Sequence, residues 1–126
     1  MLARIQNDLF DVGADLSVPG EGGSRLRLAD APVLRLEQEI AAMNGGLPAL
    51  TSFILPGGTA AAAHAHLART VARRAERALV RLMAGEAVNS AILRYLNRLS
   101  DHLFVLARAL NQHGEGETLW VPGGAV

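Results

Sequence analysis

The chain has 126 residues, half of them apolar and 4% aromatic, and its twelve basic residues, all arginine, balance twelve acidic ones to a formal net charge of zero. That length suits one domain with a single modest core, and the neutral charge disfavours a broad grip on nucleic acid, which needs excess positive charge to displace the phosphate counterions. A sequence without cysteine excludes disulfides, thiolate catalysis and cysteine-based zinc sites.

The first twenty residues carry Asp8, Asp11 and Asp15 where a signal peptide would need a basic start and an unbroken apolar stretch. No apolar run approaches the roughly 20 residues of a membrane span, so a cytoplasmic protein that does not enter the membrane is expected. Leu2, Ile5, Leu9, Val12 and Leu16 recur at helical spacing and predict a first helix with this stripe inward and the three aspartates on the other side. Pro19, Gly20, Gly22 and Gly23 turn the stretch from Ser17 to Ser24 into a loop. A second helix is predicted from Asp30, a candidate N-cap with Pro32 in the first turn, through Val33, Leu36, Ile40 and Met43 to the stop Asn44-Gly45-Gly46.

The apolar, proline-bearing connection from Leu47 to Gly58 reads as a buried or ligand-facing loop. Thr59 caps a third helix that carries no breaker before Gly85. A fourth starts near Asn89 and runs to about His113, with Ile92, Leu96, Leu99, Leu103, Leu106 and Leu110 as its seam. No segment alternates with the two-residue period of a half-buried strand, so the prediction is an all-α, antiparallel helical bundle forming a single domain over residues 1–126. Residues 114–126 form a tail whose one tryptophan, Trp120, is expected to pin it to the bundle.

On the third helix Arg69, Arg73 and Arg77 climb one side with His66 and Glu76 beside them, while Leu67, Val71, Ala75, Ala78 and Leu82 occupy the other. Stacked arginines repel, by roughly 0.2–0.5 kcal/mol per pair. The stripe is either a solvated face relieved by Glu76, or a rack of guanidinium forks suited to paired contacts with phosphate oxygens. The fourth helix sets Arg94, Asn97, Asp101, Phe104 and Arg108 opposite its leucines. That stripe fits a second face turned to a ligand or subunit, or a surface on which Arg94 and Arg98 pair with Asp101. His64 and His66 point about 160° apart on a helix and make a poor metal pair. Leu55-Pro56-Gly57-Gly58-Thr59 could hold an anion at a helix N-terminus, although it lacks the P-loop lysine and such loops are commonly caps.

Four stretches carry a resemblance: residues 4–14 (Arg-Ile-Gln-Asn-Asp-Leu-Phe-Asp-Val-Gly-Ala), 53–58 (Phe-Ile-Leu-Pro-Gly-Gly), 68–77 (Ala-Arg-Thr-Val-Ala-Arg-Arg-Ala-Glu-Arg) and 95–104 (Tyr-Leu-Asn-Arg-Leu-Ser-Asp-His-Leu-Phe). Together they resemble the PduO-type ATP:cob(I)alamin adenosyltransferases over nearly the whole chain. The resemblance implies a five-helix family bundle of which four helices are present, assembled as a homotrimer with active sites between subunits. It further implies transfer of the 5′-deoxyadenosyl group of ATP to the cobalt of a reduced corrinoid, with release of triphosphate. Arg73, Arg74, Ala75, Glu76, Arg77 and Asn97 would hold ATP, with Mg²⁺ on its phosphates and no metal ligand from this chain. Arg69 and Asp101 would support them, and Phe53 would face the corrinoid. A corrinoid reductase or a cobalamin-dependent enzyme is the implied partner, with no nucleic acid or membrane.

The family's Gly-rich segment resembling Thr-Arg-Thr-Gly-Asp-x-Gly, and the following helix with Asp-Glu-Leu-Asn, do not occur before Met1-Leu2-Ala3-Arg4. The sequence thus starts where the family's second helix is expected, and a bundle short of one helix should expose apolar surface. Two other functions fit the residues: a non-catalytic helical module that binds nucleotide, triphosphate or corrinoid, and a structural oligomerisation bundle whose arginines pair with the Asp8, Asp11 and Asp15 face.

Overall fold

The computed structural model describes residues 1–124 and is all-α, with helices α1 (Leu2–Leu16), α2 (Ala31–Asn44), α3 (Ala60–Met83) and α4 (Ser90–Leu110). Among the described residues, strand-like pairing is confined to two isolated bridges, Gly20 with Val88 and Ile54 with Leu119. The last two residues of the expected tail lie outside the described ones.

α4 is the axis of the bundle, with α2 and α3 packed along it. Ile92 and Tyr95 are fully buried, and Leu96, Leu99, Leu103 and Leu106 join them in one core with Leu36 of α2, Ala72 and Leu79 of α3, and Ile5 and Val12 of α1. Each such large side chain removed from water stabilises the fold by roughly 1.5–3 kcal/mol. Polar pairs fix the directions. Asp15 and Asp8 of α1 meet Asn89 and Tyr95, so α1 runs against α4; Asp30, the N-cap of α2, and Glu39, two turns further along it, meet Arg94 and His102, so α2 runs with it. α3 runs against α4, because His66 meets Phe104 and Glu76 meets Asn97.

α4 stops at Leu110, short of the predicted His113, because Gln112 and His113 take left-handed φ values of 55° and 54° ahead of Gly114 at 91°. Its start is fixed by Asn89, whose Oδ1 accepts from the Ala91 N–H while its Nδ2 donates to Asp15 and to the Leu28 carbonyl. The Ser17–Ser24 loop wraps one guanidinium: Arg27 donates to the carbonyl oxygens of Asp15, Val18, Pro19 and Gly22 and forms an ion pair with the Asp15 carboxylate at 2.8 Å.

Two faces depart from the sequence pattern, α1 in part, since Ile5 and Val12 of its predicted stripe are buried as expected, and α3 as a whole. On α1 the inward residues are Ile5, Asp8, Val12 and Asp15, whereas Leu2, Leu9, Phe10 and Leu16 are exposed, Phe10 by 83%. The aspartates go inward because partners wait for them: the Asp8 carboxylate accepts from Arg35 and, at 2.9 Å, from the Tyr95 hydroxyl. Asp15 is satisfied by Arg27, Asn89 and the Leu28 N–H. A buried carboxylate is tolerated when so bonded. With Asp8 and Asp15 engaged inside their own chain, the arginine-to-aspartate oligomerisation face set out above is ruled out for these two residues.

On α3 the inward residues are Ala62, Ala65, His66, Ala72 and Leu79. Small residues let its backbone lie close to α4, and the larger Leu67, Val71, Val80 and Leu82 face outward. The predicted apolar side of α3 is therefore an outer face, and the predicted polar side borders α4.

Candidate functional site

Thr59 starts α3 by accepting from the Ala62 N–H, and its own N–H donates to Asn111 Oδ1 at 2.9 Å. The Leu-Pro-Gly-Gly-Thr segment thus spends its polar groups on capping and on Asn111, which argues against the anion-loop reading. His64 is exposed and bonds the Ala60 carbonyl, while His66 is buried, so the two histidines do not converge. Among the described residues no group of three or more His, Cys, Asp or Glu side chains could hold a metal.

The arginines largely divide by helix, with Arg4 and Arg25 outside α3 and also in no ion pair among the described residues. Arg27, Arg35, Arg94, Arg98 and Arg108 are in ion pairs, and none of these lies on α3. Among the described residues no carboxylate is within ion-pair distance of Arg69, Arg73, Arg74, Arg77 or Arg81, the whole arginine complement of α3. Arg73, Arg74 and Arg77 are exposed. Ala75, between them in sequence, is exposed as well. One turn of helix thus offers several guanidinium groups with free hydrogen-bond donors.

Beside them Glu76 accepts from Asn97 Nδ2 at 2.8 Å, and Asn97 Oδ1 accepts from Arg98. Arg98 continues to Asp101 at 2.9 Å. Asp101 therefore acts on Arg98, and Arg94 pairs with Asp30 at 2.7 Å instead of with Asp101. Glu76, Asn97 and Arg98 line a groove of about 460 Å³ with Glu37, Val80 and Leu93. The groove mixes apolar walls with an amide and carboxylates, next to the unpaired arginines.

Arg69 stands apart from Arg73 and Arg77. It is half-buried, with its guanidinium carbon 5.7 Å from the Phe104 ring centroid, and Phe104 also packs edge-on to His66. Burial, with help from Arg69 and against Glu117, holds the His66 imidazole below its ordinary value, which favours the neutral ring.

Phe53 is 76% exposed at the middle of the Leu47–Gly58 connection. That connection is not buried: it presents Phe53 outward. Trp120 does not pin the tail to the helices. It packs against Phe53 in a tilted contact with ring centroids 5.8 Å apart and planes at 51°, and the tail backbone pairs with the loop through Leu55 N–H to Thr118 O and Trp120 N–H to Phe53 O. The two paired segments, Phe53-Ile-Leu-Pro-Gly-Gly and Leu119-Trp-Val-Pro-Gly-Gly, are two versions of one pattern in the sequence. No ring contact or hydrogen bond among the described residues links Phe53 to the arginines at 73–77.

Comparison with known proteins bears on this arrangement. The family model for cobalamin adenosyltransferase matches residues 1–110. A cobalamin adenosyltransferase of Cupriavidus metallidurans is 56% identical over 121 residues, covering 94% of this chain and 63% of that protein. A corrinoid adenosyltransferase of Bacillus subtilis is 46% identical, covering 87% of this chain and 56% of its own length. The chain thus spans somewhat less than two thirds of these relatives. Among solved structures, a variant PduO-type ATP:corrinoid adenosyltransferase from Lactobacillus reuteri, complexed with cobalamin and ATP, superposes with a TM-score of 0.87 at 40% identity, covering 94% of this chain and 67% of that one. By sequence and by fold, the chain belongs to the cobalamin adenosyltransferase family.

Proposed function

We propose that this chain transfers the 5′-deoxyadenosyl group of ATP to the cobalt of a reduced corrinoid and releases triphosphate. The observation that carries this reading is the set of unpaired guanidinium groups at Arg73, Arg74 and Arg77, beside the Glu76–Asn97 pair, in a family whose solved relative is complexed with cobalamin and ATP. Cobalt(I) brings the electron pair that forms the cobalt–carbon bond, and the 5′ carbon–oxygen bond breaks with its electrons leaving on triphosphate. The protein need supply no general base. Its work is to align cobalt with the 5′ carbon and to stabilise the departing negative charge. Arginines suit the second task because they stay cationic and bind phosphate oxygens in pairs.

In this reading Ala75 lies exposed against the nucleotide between the arginines, Asn97 and Glu76 hold the nucleotide in the groove, Arg69 supports the site from one turn before Arg73 and Asp101 through Arg98, and Phe53 faces the corrinoid. Mg²⁺ would be carried on the ATP phosphates, as this strongly hydrated ion commonly is. The assembly is a homotrimer with active sites between subunits. Support comes from the outward apolar side chains Leu9, Phe10, Leu67, Val71 and Leu82, which a neighbouring subunit would cover. A reductase that delivers the reduced corrinoid and a cytoplasmic location complete the reading; no helix is long and apolar enough to cross a membrane.

The test is incubation of the protein with ATP and chemically reduced cobalamin while the visible spectrum is followed for the adenosyl product. Appearance of product is expected. ATP binding by calorimetry without product would assign a non-catalytic binding module, and no nucleotide binding at all would assign a structural bundle.

A further inference from the structure

The loop that displays Phe53 is fastened at both ends and along its middle. At its start, Arg108 Nη2 donates to the Pro48 carbonyl at 2.7 Å. At its end, Asn111 donates to the Gly57 carbonyl at 2.8 Å and accepts from the Thr59 N–H. Gly58 has a φ of 105°, and a Cβ added there would collide with the Asn111 side chain, so loop and C-cap are built to touch. In the middle, the tail forms two backbone bonds of 2.8 and 2.7 Å with Leu55 and Phe53, and Ser52 Oγ donates to the Trp120 carbonyl at 2.7 Å.

The tail is itself anchored by charge. Arg108 and Glu117 pair at 2.9 Å, and both side chains are about 95% out of water, with relative exposures of 5% and 4%. One guanidinium therefore holds the start of the loop through Pro48 and the start of the tail through Glu117. Nothing in core packing requires this arrangement, because the segment that it braces ends in exposed side chains, Phe53 at 76% and Trp120 at 45%. An ordered frame whose product is an exposed aromatic ring serves the ring's position.

We propose that Arg108, Glu117 and Asn111 are positioning residues that hold the C-terminal tail against the 48–58 loop and thereby set the height and angle of Phe53 through Trp120. The proposal rests on the reading that Phe53 faces the corrinoid. It predicts that weakening the Arg108–Glu117 clamp harms the use of corrinoid and spares the use of ATP, since the arginines at 73–77 share no bond with the frame. Misplacement of a reacting group by a fraction of its diameter is enough for such an effect.

The experiment uses Trp120, the single tryptophan of the chain, as a reporter. Acrylamide quenching of its fluorescence is measured in the full chain, in Phe53→Leu to calibrate loss of the ring contact, and in Glu117→Gln. Adenosyl transfer is then measured with varied reduced cobalamin and with varied ATP. In Glu117→Gln, quenching is expected to rise to about the level of Phe53→Leu, and kcat/KM for cobalamin to fall about tenfold while KM for ATP stays within about twofold. Glu117→Asp, which restores the charge, should recover most of the loss. A folded Glu117→Gln with unchanged quenching overturns the proposal, as does one with equal losses for both substrates. If Glu117→Gln fails to fold, the double variant Arg108→Met/Glu117→Leu strands no buried charge and is read by the same criteria. Absence of turnover in the unaltered chain would sink the adenosyl-transfer reading, and the Trp120 quenching would still decide whether the clamp holds Phe53.

Discussion

Along α4, twelve of 21 residues are buried, including Ser100, His102 and Arg108; along α3, five of 24 are buried, and three of those are alanine. The two helices pack directly on each other, so the difference comes from what each has on its other sides. α4 has neighbours in several directions and engages most of its buried polar side chains internally: Tyr95 donates to Asp8, and Arg108 binds Glu117 and Pro48, whereas the buried His102 ring nitrogens have no hydrogen-bond partner among the described residues. α3 has one packed side, and its arginines are left without carboxylates. A helix whose buried polar groups are mostly engaged builds a fold, whereas one that keeps unpaired cations on display has binding capacity left over. The Glu76–Asn97 bond is where the two kinds of helix meet.

This contrast can be broken by substitution. Ile92→Ala on α4 should lose roughly 2–5 kcal/mol of stability, as expected for an emptied core site, with no change in KM for ATP among the molecules that stay folded; denaturant unfolding measures the first and steady-state kinetics the second. Arg73→Ala on α3 should behave oppositely, lowering kcat/KM for ATP by about 100-fold, the scale of a lost charge-stabilising donor, with the melting temperature nearly unchanged. If Arg73→Ala instead unfolds the chain, the division between the helices is wrong. Tyr95→Phe should cost about 1–2 kcal/mol by removing one donor from buried Asp8, again read by denaturant unfolding.

A smaller effect sharpens the same contrast through pH. Burial, against the pull of Glu39, holds the His102 imidazole of α4 below its ordinary value, and His66 is shifted the same way. The unfolded chain therefore binds more protons than the folded one, so this contribution is complete above about pH 6.5 and is lost as pH falls further. The melting temperature should drop on acidification through this range, and His102→Leu should flatten the drop. Asp15 adds a later loss: burial alone would raise its carboxyl, but the bonds from Asn89, Leu28 and Arg27 outweigh it and hold it below the ordinary value. Its stabilisation is present above about pH 4 and disappears as pH falls beneath that.

The breaks between helices were legible because Gly and Pro act through the local backbone, and the seam of α4 was legible because Ile92, Leu96, Leu99, Leu103 and Leu106 enter one core at regular helical spacing. The inward face of α3 was not, nor was the part of the α1 face that Asp8 and Asp15 fill beside the expected Ile5 and Val12. Periodicity assigns the apolar stripe to the core, but Asp8 and Asp15 are buried by partners 13 to 87 residues away, at Leu28, Asn89 and Tyr95, which no local window contains. On α3 the deciding property is size: Ala62, Ala65 and Ala72 admit close approach to α4, while Leu67 and Val71 would hold the helices apart. For the site, the Arg-Arg-Ala-Glu-Arg and Asn-Arg-Leu-Ser-Asp stretches indicated which helices to join, and the Glu76–Asn97 contact follows. The Phe53–Trp120 pairing was visible only as a repeated Pro-Gly-Gly pattern, which says nothing by itself about which segments pair.

The unpaired arginines of α3 also carry a thermodynamic consequence. Like charges one turn apart push on each other in the empty protein, so the folded chain is held below the stability that its packing would allow. A polyanion that binds the folded form neutralises the repulsion and adds its own binding energy, about 2.7 kcal/mol at a concentration 100 times its dissociation constant. Inorganic triphosphate should thus raise the melting temperature of this protein, and added sodium chloride should reduce that gain by screening the attraction.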